Sequence, residues 1–117
     1  MPHKQKMIKV NTYVDEGIAD LIETLNCFKK LRTIESCEGQ RRATIIFTYG
    51  QGKWNTMASF IFKFLAPKLI RGFGNKIDLS MRMNSFKKLQ GELLVERSAL
   101  PAFTNYLKKI VALNTEY

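Results

Sequence analysis

The sequence predicts a single-domain α/β (α+β) fold in two layers, ordered β-α-β-β-α-β-β-α, with helices packed on a mixed sheet. Two observations carry this reading. Apolar residues alternate singly over several short stretches and recur at three-and-four spacing over longer ones, so strands and amphipathic helices interleave along the chain. The 117 residues, 45% apolar and 25% charged, suit one hydrophobic core, and no linker or low-complexity tract divides residues 1–117. The string contains the ferredoxin-like βαββαβ order. It also reads as a βαββ unit used twice with a closing helix, although the halves share no residue-by-residue repeat.

The elements follow in order. Residues 7–14 alternate Ile8, Val10, Thr12 and Val14 with Lys9, Asn11 and Tyr13, which predicts a half-buried strand. Asp15 is placed to cap a helix whose stripe is Ile18, Leu21, Ile22, Leu25 and Phe28. Residues 31–36 predict a second strand, and the β-branched and aromatic run 43–49 a third. A helix beginning near Asn55 or Thr56 carries the stripe Met57, Phe60, Ile61, Phe64 and Leu65; Pro67 is expected to kink or end it, and Gly72 and Gly74 to close the segment. Residues 76–84 show the clearest alternation, with Ile77, Leu79, Met81 and Met83 on one face, followed by the turn "SFKK" and a partner strand over 90–96. Ser98 is expected to cap a final helix that tolerates Pro101 in its first turn and turns Leu100, Phe103, Leu107, Ile110 and Val111 to the core.

Charge and composition narrow the function classes. Nineteen Lys and Arg against ten Asp and Glu give a net charge of +9, which attracts polyanions and favours nucleic acid or an anionic small molecule as partner. The basic residues come in small groups along the whole chain. The longest apolar run, 57–70, is interrupted by Lys63 and Pro67 and is too short to span a bilayer, so no membrane partner is expected. The opening "MPHKQKM" lacks the apolar segment of a secretory signal, and Cys27 and Cys37 are too few for a disulfide framework; both predict a cytoplasmic protein with free thiols. Two cysteines and His3 at unrelated spacing do not make a zinc site, and "GQGK" lacks the context of a phosphate loop.

The stretch "TIESCEGQRRA", residues 33–43, sets a polar, thiol-bearing turn between two strands. A strand-helix-strand connection within one sheet makes its two strands parallel, which would bring Asp15 and the turn residues Ser36, Cys37, Glu38 and Gly39 to the same sheet edge. Such edges hold ligands in open α/β sheets, and Arg41 follows to meet an anion. Asp15, Ser36, Cys37, Glu38, Gly39 and Arg41 are therefore the candidate ligand-binding residues, and Arg41, Arg42 and Lys53 the candidate nucleic-acid contacts. Structural roles answer for the same residues: a helix cap for Asp15, a positive φ for Gly39, and a packing position for Cys37. Trp54 is read either as a base-stacking platform or as a core residue. A Cys37 nucleophile would lack a base, because the only histidine, His3, lies far from it in sequence, and Glu38 beside it disfavours the thiolate.

Residues 14–40, "VDEGIADLIETLNCFKKLRTIESCEGQ", resemble the N-terminal motif of the wybutosine-synthesizing tRNA methyltransferase family and its small bacterial or phage relatives. Asp15, Asn26, Thr33, Ser36, Cys37 and Gly39 match the motif's Asp, its Asn late in the helix, its Thr strand and its Ser-Cys-x-Gly turn. The resemblance covers about a quarter of the chain. The family's Arg directly after the last Gly is Gln40 here, with Arg41 one place later. The resemblance implies an α/β fold, RNA as partner and S-adenosylmethionine as a possible cofactor.

The expected function is thus the binding of RNA or a small anionic ligand at a polar turn on the strand-carboxyl edge, without assigned catalytic residues. Two alternatives stand beside it. One is an S-adenosylmethionine-dependent tRNA-modifying methyltransferase, or a subunit of one. The other is a structural or self-assembling protein that pairs through an edge strand at 76–84.

Overall fold

A computed structural model describes residues 5–7 and 13–117. Two short strands, β1 (Gln5–Met7) and β2 (Tyr13–Asp15), pair antiparallel with each other. A single 3-10 turn (Glu16–Ile18) leads into α1 (Ala19–Leu25). The hairpin of β3 (Leu31–Cys37) and β4 (Arg42–Tyr49) follows. A long helix comes next, starting as α2 (Trp54–Ala58), winding as a π-helix over Ser59–Leu65 and ending as α3 (Ala66–Phe73). A second hairpin joins β5 (Ile77–Met83) to β6 (Leu89–Glu96), and α4 (Leu100–Leu113) completes the order. No helix among the described residues is long and apolar enough to cross a membrane.

The fold is a single-domain α+β arrangement, as the sequence predicts. The four-stranded sheet runs β3-β4-β6-β5, so each helix-hairpin unit supplies one outer and one inner strand, and the two units meet where β4 pairs with β6. The repeat is αββ and lacks the leading strand of the βαββ unit that the element order suggested, because β2 pairs with β1 outside the main sheet. Alternation along the strands then sorts the side chains. Ala43, Ile45, Phe47 and Tyr49 of β4 meet Leu93 and Val95 of β6 beneath the helices, where Ile22, Leu25, Phe28, Phe60, Leu65, Phe103 and Leu107 close the core. The stripes expected on all three helices are buried as predicted, with Val111 partly so.

Four expectations need correction. The middle of the strand expected over 7–14 lies outside the described residues, but Met7 and Tyr13 near its two ends are opposite partners in β1 and β2, so those ends belong to different strands. Every pairing among the described strands is antiparallel, not mixed, because β2 pairs with β1 and not beside β3 in the main sheet. Pro67, expected to kink or end its helix, does not end it: the helix continues to Phe73. The π-helical winding before it gives a wider turn, which relieves the clash that a proline ring makes with the carbonyl one turn earlier. Ser98 does not cap α4: it lies inside a 3-10 turn (Arg97–Ala99), and no side chain hydrogen-bonds the start of α4.

Candidate functional site

The sheet has two ends with different chemistry. At one end lies the turn between β3 and β4. Asp15 is 4% exposed, and its carboxylate accepts a hydrogen bond from the Glu38 backbone N–H at 2.9 Å. Asp15 stands before the 3-10 turn and makes no side-chain cap bond there, so its expected capping role gives way to this contact with the turn. Asp15 and the turn are therefore brought together as expected, though by a side chain reaching across and not by parallel strands. Arg97 holds the turn from the other side. Its guanidinium donates to the carbonyls of Gly39 at 3.3 Å and Gln40 at 3.5 Å and pairs with the Glu38 carboxylate at 3.3 Å, while its backbone N–H donates to the Arg41 carbonyl at 2.9 Å. Gly39 has φ +66°, and a methyl group there would collide with the Arg42 carbonyl.

The remaining residues of the turn take different directions. Ser36 pairs in register with Ile45 on the helix side of the sheet, whereas Cys37 pairs with Thr44 on the open side and is exposed. Cys27 is also exposed, its thiol donating to the Glu23 carbonyl, and both thiols are free. Arg42 forms an exposed ion pair with Asp78 at 3.2 Å. Arg41 is exposed. The family-like residues Asn26 and Thr33 bond to each other: the Asn26 amide donates to the Thr33 hydroxyl at 3.0 Å and accepts from the Thr33 N–H at 3.3 Å, tying α1 to β3. The motif thus works here as a set of fold-forming contacts. Asp15 accepts from the Glu38 amide and the Glu38 carboxylate is paired with Arg97, so both carboxylates beside the turn are engaged in holding it.

The opposite end of the sheet carries the chemistry that the turn lacks. Register places Lys29, Lys30 and Arg32 at the start of β3 beside Thr48 and Tyr49 at the end of β4, and the Gly50 N–H donates to the Lys30 carbonyl at 3.0 Å. Gly52, just before Lys53 and Trp54, lies next to the Leu89 carbonyl at the start of β6. Arg82 and Met83 of β5 pair with Gln90 and Leu89 of β6 at this same end. The tip of the β5-β6 hairpin is locked by Asn84, whose side-chain oxygen accepts from the N–H groups of Phe86 at 2.9 Å and Lys88 at 3.0 Å. Its backbone carbonyl accepts from Lys87 N–H at 3.0 Å. This turn holds Phe86 80% exposed between Ser85 and Lys87, and Trp54, two residues after Gly52, is 60% exposed.

The end that holds Asp15, Glu16, Glu38, Asp78 and Glu96 is rich in carboxylates; Arg42 and Arg97 are paired there, while Arg41 and Lys76 at the same end have no carboxylate partner among the described residues. Among the described residues, Lys29, Lys30, Lys53, Lys87 and Lys88 have no carboxylate partner. The three candidate nucleic-acid contacts are consequently split. Arg41 and Arg42 lie at the start of β4 and Lys53 beyond its end, so the length of the eight-residue strand, roughly 25 Å at about 3.3 Å per residue, sets them apart. Phe86, Lys87 and Lys88 were not among the sequence candidates, although an aromatic placed inside a polar, lysine-flanked hairpin turn is a readable signal. Trp54 proves to be a surface residue and not a core one.

A hollow of about 370 Å³ opens between the end of β4, the start of α2 and the segment after α4, lined by Lys30, Tyr49, Asn55, Ser59, Phe60 and Tyr117 among others. Tyr49 and Phe60 stack at 3.8 Å with nearly parallel rings, and the Tyr49 hydroxyl donates to the Tyr117 carbonyl at 3.2 Å. Burial pushes the Tyr49 phenol above its ordinary value, and Tyr117 and Glu116 add to the shift. Among the described residues, no group of His, Cys, Asp and Glu side chains gathers to hold a metal ion. Comparison of the whole chain with protein-family models, with curated proteins and with solved structures finds no match to any.

Proposed function

We propose that this chain is a nucleic-acid-binding module that engages single-stranded RNA across the hairpin end of its sheet. The observation that carries the reading is the coincidence of unpaired lysines with two exposed aromatic rings at one end, whereas the unpaired Arg41 and Lys76 at the other end stand among carboxylates. Single strands are held by this combination, cations tracking the phosphates and ring faces stacking on bases. The Phe86 ring supports the reading further. Full burial of such a ring is worth about 1.5–3 kcal/mol, yet Asn84 fixes the hairpin so that the ring stays in water. On this reading the turn at 36–39 serves folding, and the net charge of +9 acts through its uneven placement.

Trp54 is the only tryptophan, so intrinsic fluorescence reports on the proposed surface directly. Titration with short single-stranded RNA at low salt is expected to quench it, and Phe86→Ala should weaken binding several-fold, since stacking on an aromatic is worth about 1–3 kcal/mol per base. Unchanged Trp54 emission together with RNA binding that Phe86→Ala leaves intact would place the contact elsewhere, and absence of RNA binding at low salt would remove the function.

A further inference from the structure

We infer that β5 is a docking edge for a second copy of this chain, pairing antiparallel with its own counterpart about a two-fold axis at Ser80 and joining two four-stranded sheets into one. The strand order β3-β4-β6-β5 leaves β5 with a neighbour on one side only. In an antiparallel pair, residues that exchange hydrogen bonds alternate with residues that do not. The Asn84 N–H donates to the Lys88 carbonyl at 3.0 Å just beyond the β5-β6 register, so the alternation back from that pair leaves Arg82, Ser80 and Asp78 bonded to β6. The Arg97 N–H bond to the Arg41 carbonyl sets the β4-β6 phase and agrees with this assignment. The backbone groups of Ile77, Leu79, Met81 and Met83 therefore point away from β6, and none hydrogen-bonds to another segment among the described residues.

The opposite edge of the sheet is closed to such pairing. On β3 the Leu31 N–H donates to the Phe28 carbonyl at 3.2 Å, the Thr33 N–H donates to the Asn26 side-chain oxygen at 3.3 Å, and a bulge breaks the register between Thr33 and Glu35. These features blunt an edge. β5 has neither bulge nor proline, and its seven residues run in unbroken register.

The sequence of β5 is also complementary to itself. About Ser80, Asp78 faces the partner's Arg82, Leu79 the partner's Met81, and Ile77 the partner's Met83. Asp78 and Arg82 are exposed on the helix-free face, and in this register they meet in non-hydrogen-bonded pairs, where opposite side chains approach most closely. Within its own chain Asp78 pairs with Arg42, and Arg82 with Glu92. Docking then sets Glu92, Arg82, the partner's Asp78 and the partner's Arg42 in one row of alternating sign. On the helix side apolar residues meet apolar residues, which covers Met83, 58% exposed in the single chain. An axis at Leu79 would instead oppose Arg82 to Lys76, and an axis at Met81 would leave Asp78 opposite Asn84 and Arg82 opposite Ser80. Because both copies use the same edge, assembly closes at two chains.

Sedimentation equilibrium without nucleic acid tests this apart from the RNA-binding reading. Physiological salt is used, since the net charge of +9 on each chain is repulsive and needs screening. The wild-type chain is expected to approach twice its 13.5 kDa mass as its concentration rises into the millimolar range, the weak association of a small interface. Asp78→Arg alone and Arg82→Asp alone should each weaken the dimer about tenfold, because two symmetric pairs turn repulsive. Both positions are exposed, so circular dichroism should show the fold retained. Asp78→Arg combined with Arg82→Asp restores opposite charges across the axis and should recover most of the loss. A wild-type chain that stays at 13.5 kDa throughout overturns the inference. A dimer that the single reversals leave unchanged, or that the double reversal fails to recover, overturns it equally.

Discussion

Replacing Gly39 by alanine probes how firmly the 36–39 turn is held. The backbone there has φ +66°, a conformation that costs an L-residue about 1–2 kcal/mol. The added methyl would also run into the Arg42 carbonyl. That carbonyl has little room to retreat: Arg42 pairs with Glu96 in β6, and the neighbouring Arg41 carbonyl accepts from the Arg97 N–H. Forcing a methyl into such a site costs about 1–3 kcal/mol more, for a total of about 2–5 kcal/mol. A chain of this size loses about 3–6 °C of melting temperature per kcal/mol, so Gly39→Ala should melt about 6 °C or more below the parent. Gly52→Ala is the internal comparison. Gly52 has φ +73°, but its nearest neighbour to an added methyl is 3.5 Å away, so it should lose only the backbone share. Thermal unfolding followed by circular dichroism reads both. If Gly39→Ala melts no lower than Gly52→Ala, the collision with Arg42 and the rigidity assigned to the turn are refuted.

Asp15→Asn keeps an acceptor for the Glu38 N–H but loses the charge that strengthens the bond, and should cost about 1 kcal/mol by denaturant unfolding; no loss would mean that the carboxylate charge contributes nothing to holding the turn. The Tyr49 phenol titrates above its ordinary value of about 10, so its neutral form favours the fold. That contribution is complete below the unfolded-state pKa and is lost as pH rises through the higher folded-state value. Melting temperature should therefore fall more steeply above pH about 10 in the parent than in Tyr49→Phe, and identical slopes would remove burial as the cause. Cys27 and Cys37 are both exposed and unpaired, so both should react with a thiol reagent in the native protein; a buried or bonded thiol would contradict their placement.

Much of this fold was legible because the hydrophobic period is local and strong. The alternation over Ile77, Leu79, Met81 and Met83 and the stripe from Met57 to Leu65 each specify an element from within their own residues. What failed depends on partners distant in sequence. Nothing near Asp15 reveals that its carboxylate will accept from Glu38, a bond that spans 23 positions, or that Arg97 will reach the same turn from 59 positions away. A capping residue and a turn-binding residue look identical until the partner is known. That the helix would run on past Pro67 was not legible, because the accommodating feature is the π-helical winding upstream, which no residue preference encodes strongly. The sites divide the same way. Gly39 and its left-handed backbone were readable, as was the approach of Asp15 to the turn. The split of Arg41 and Arg42 from Lys53, and the gathering of Lys53 with Lys87 and Lys88, are products of strand register.

The salt dependence of RNA binding in two double variants tests the central claim most directly. On single strands each phosphate neutralised contributes about 0.7 to the slope of log K against log salt. If the hairpin end is the binding surface, Lys87→Ala with Lys88→Ala should weaken binding and flatten the slope by about 1.4. Arg41→Ala with Arg42→Ala, at the other end of β4, should leave the slope unchanged. The reverse pattern, with the arginine pair flattening the slope and the lysine pair silent, would contradict the account and return the binding site to the turn.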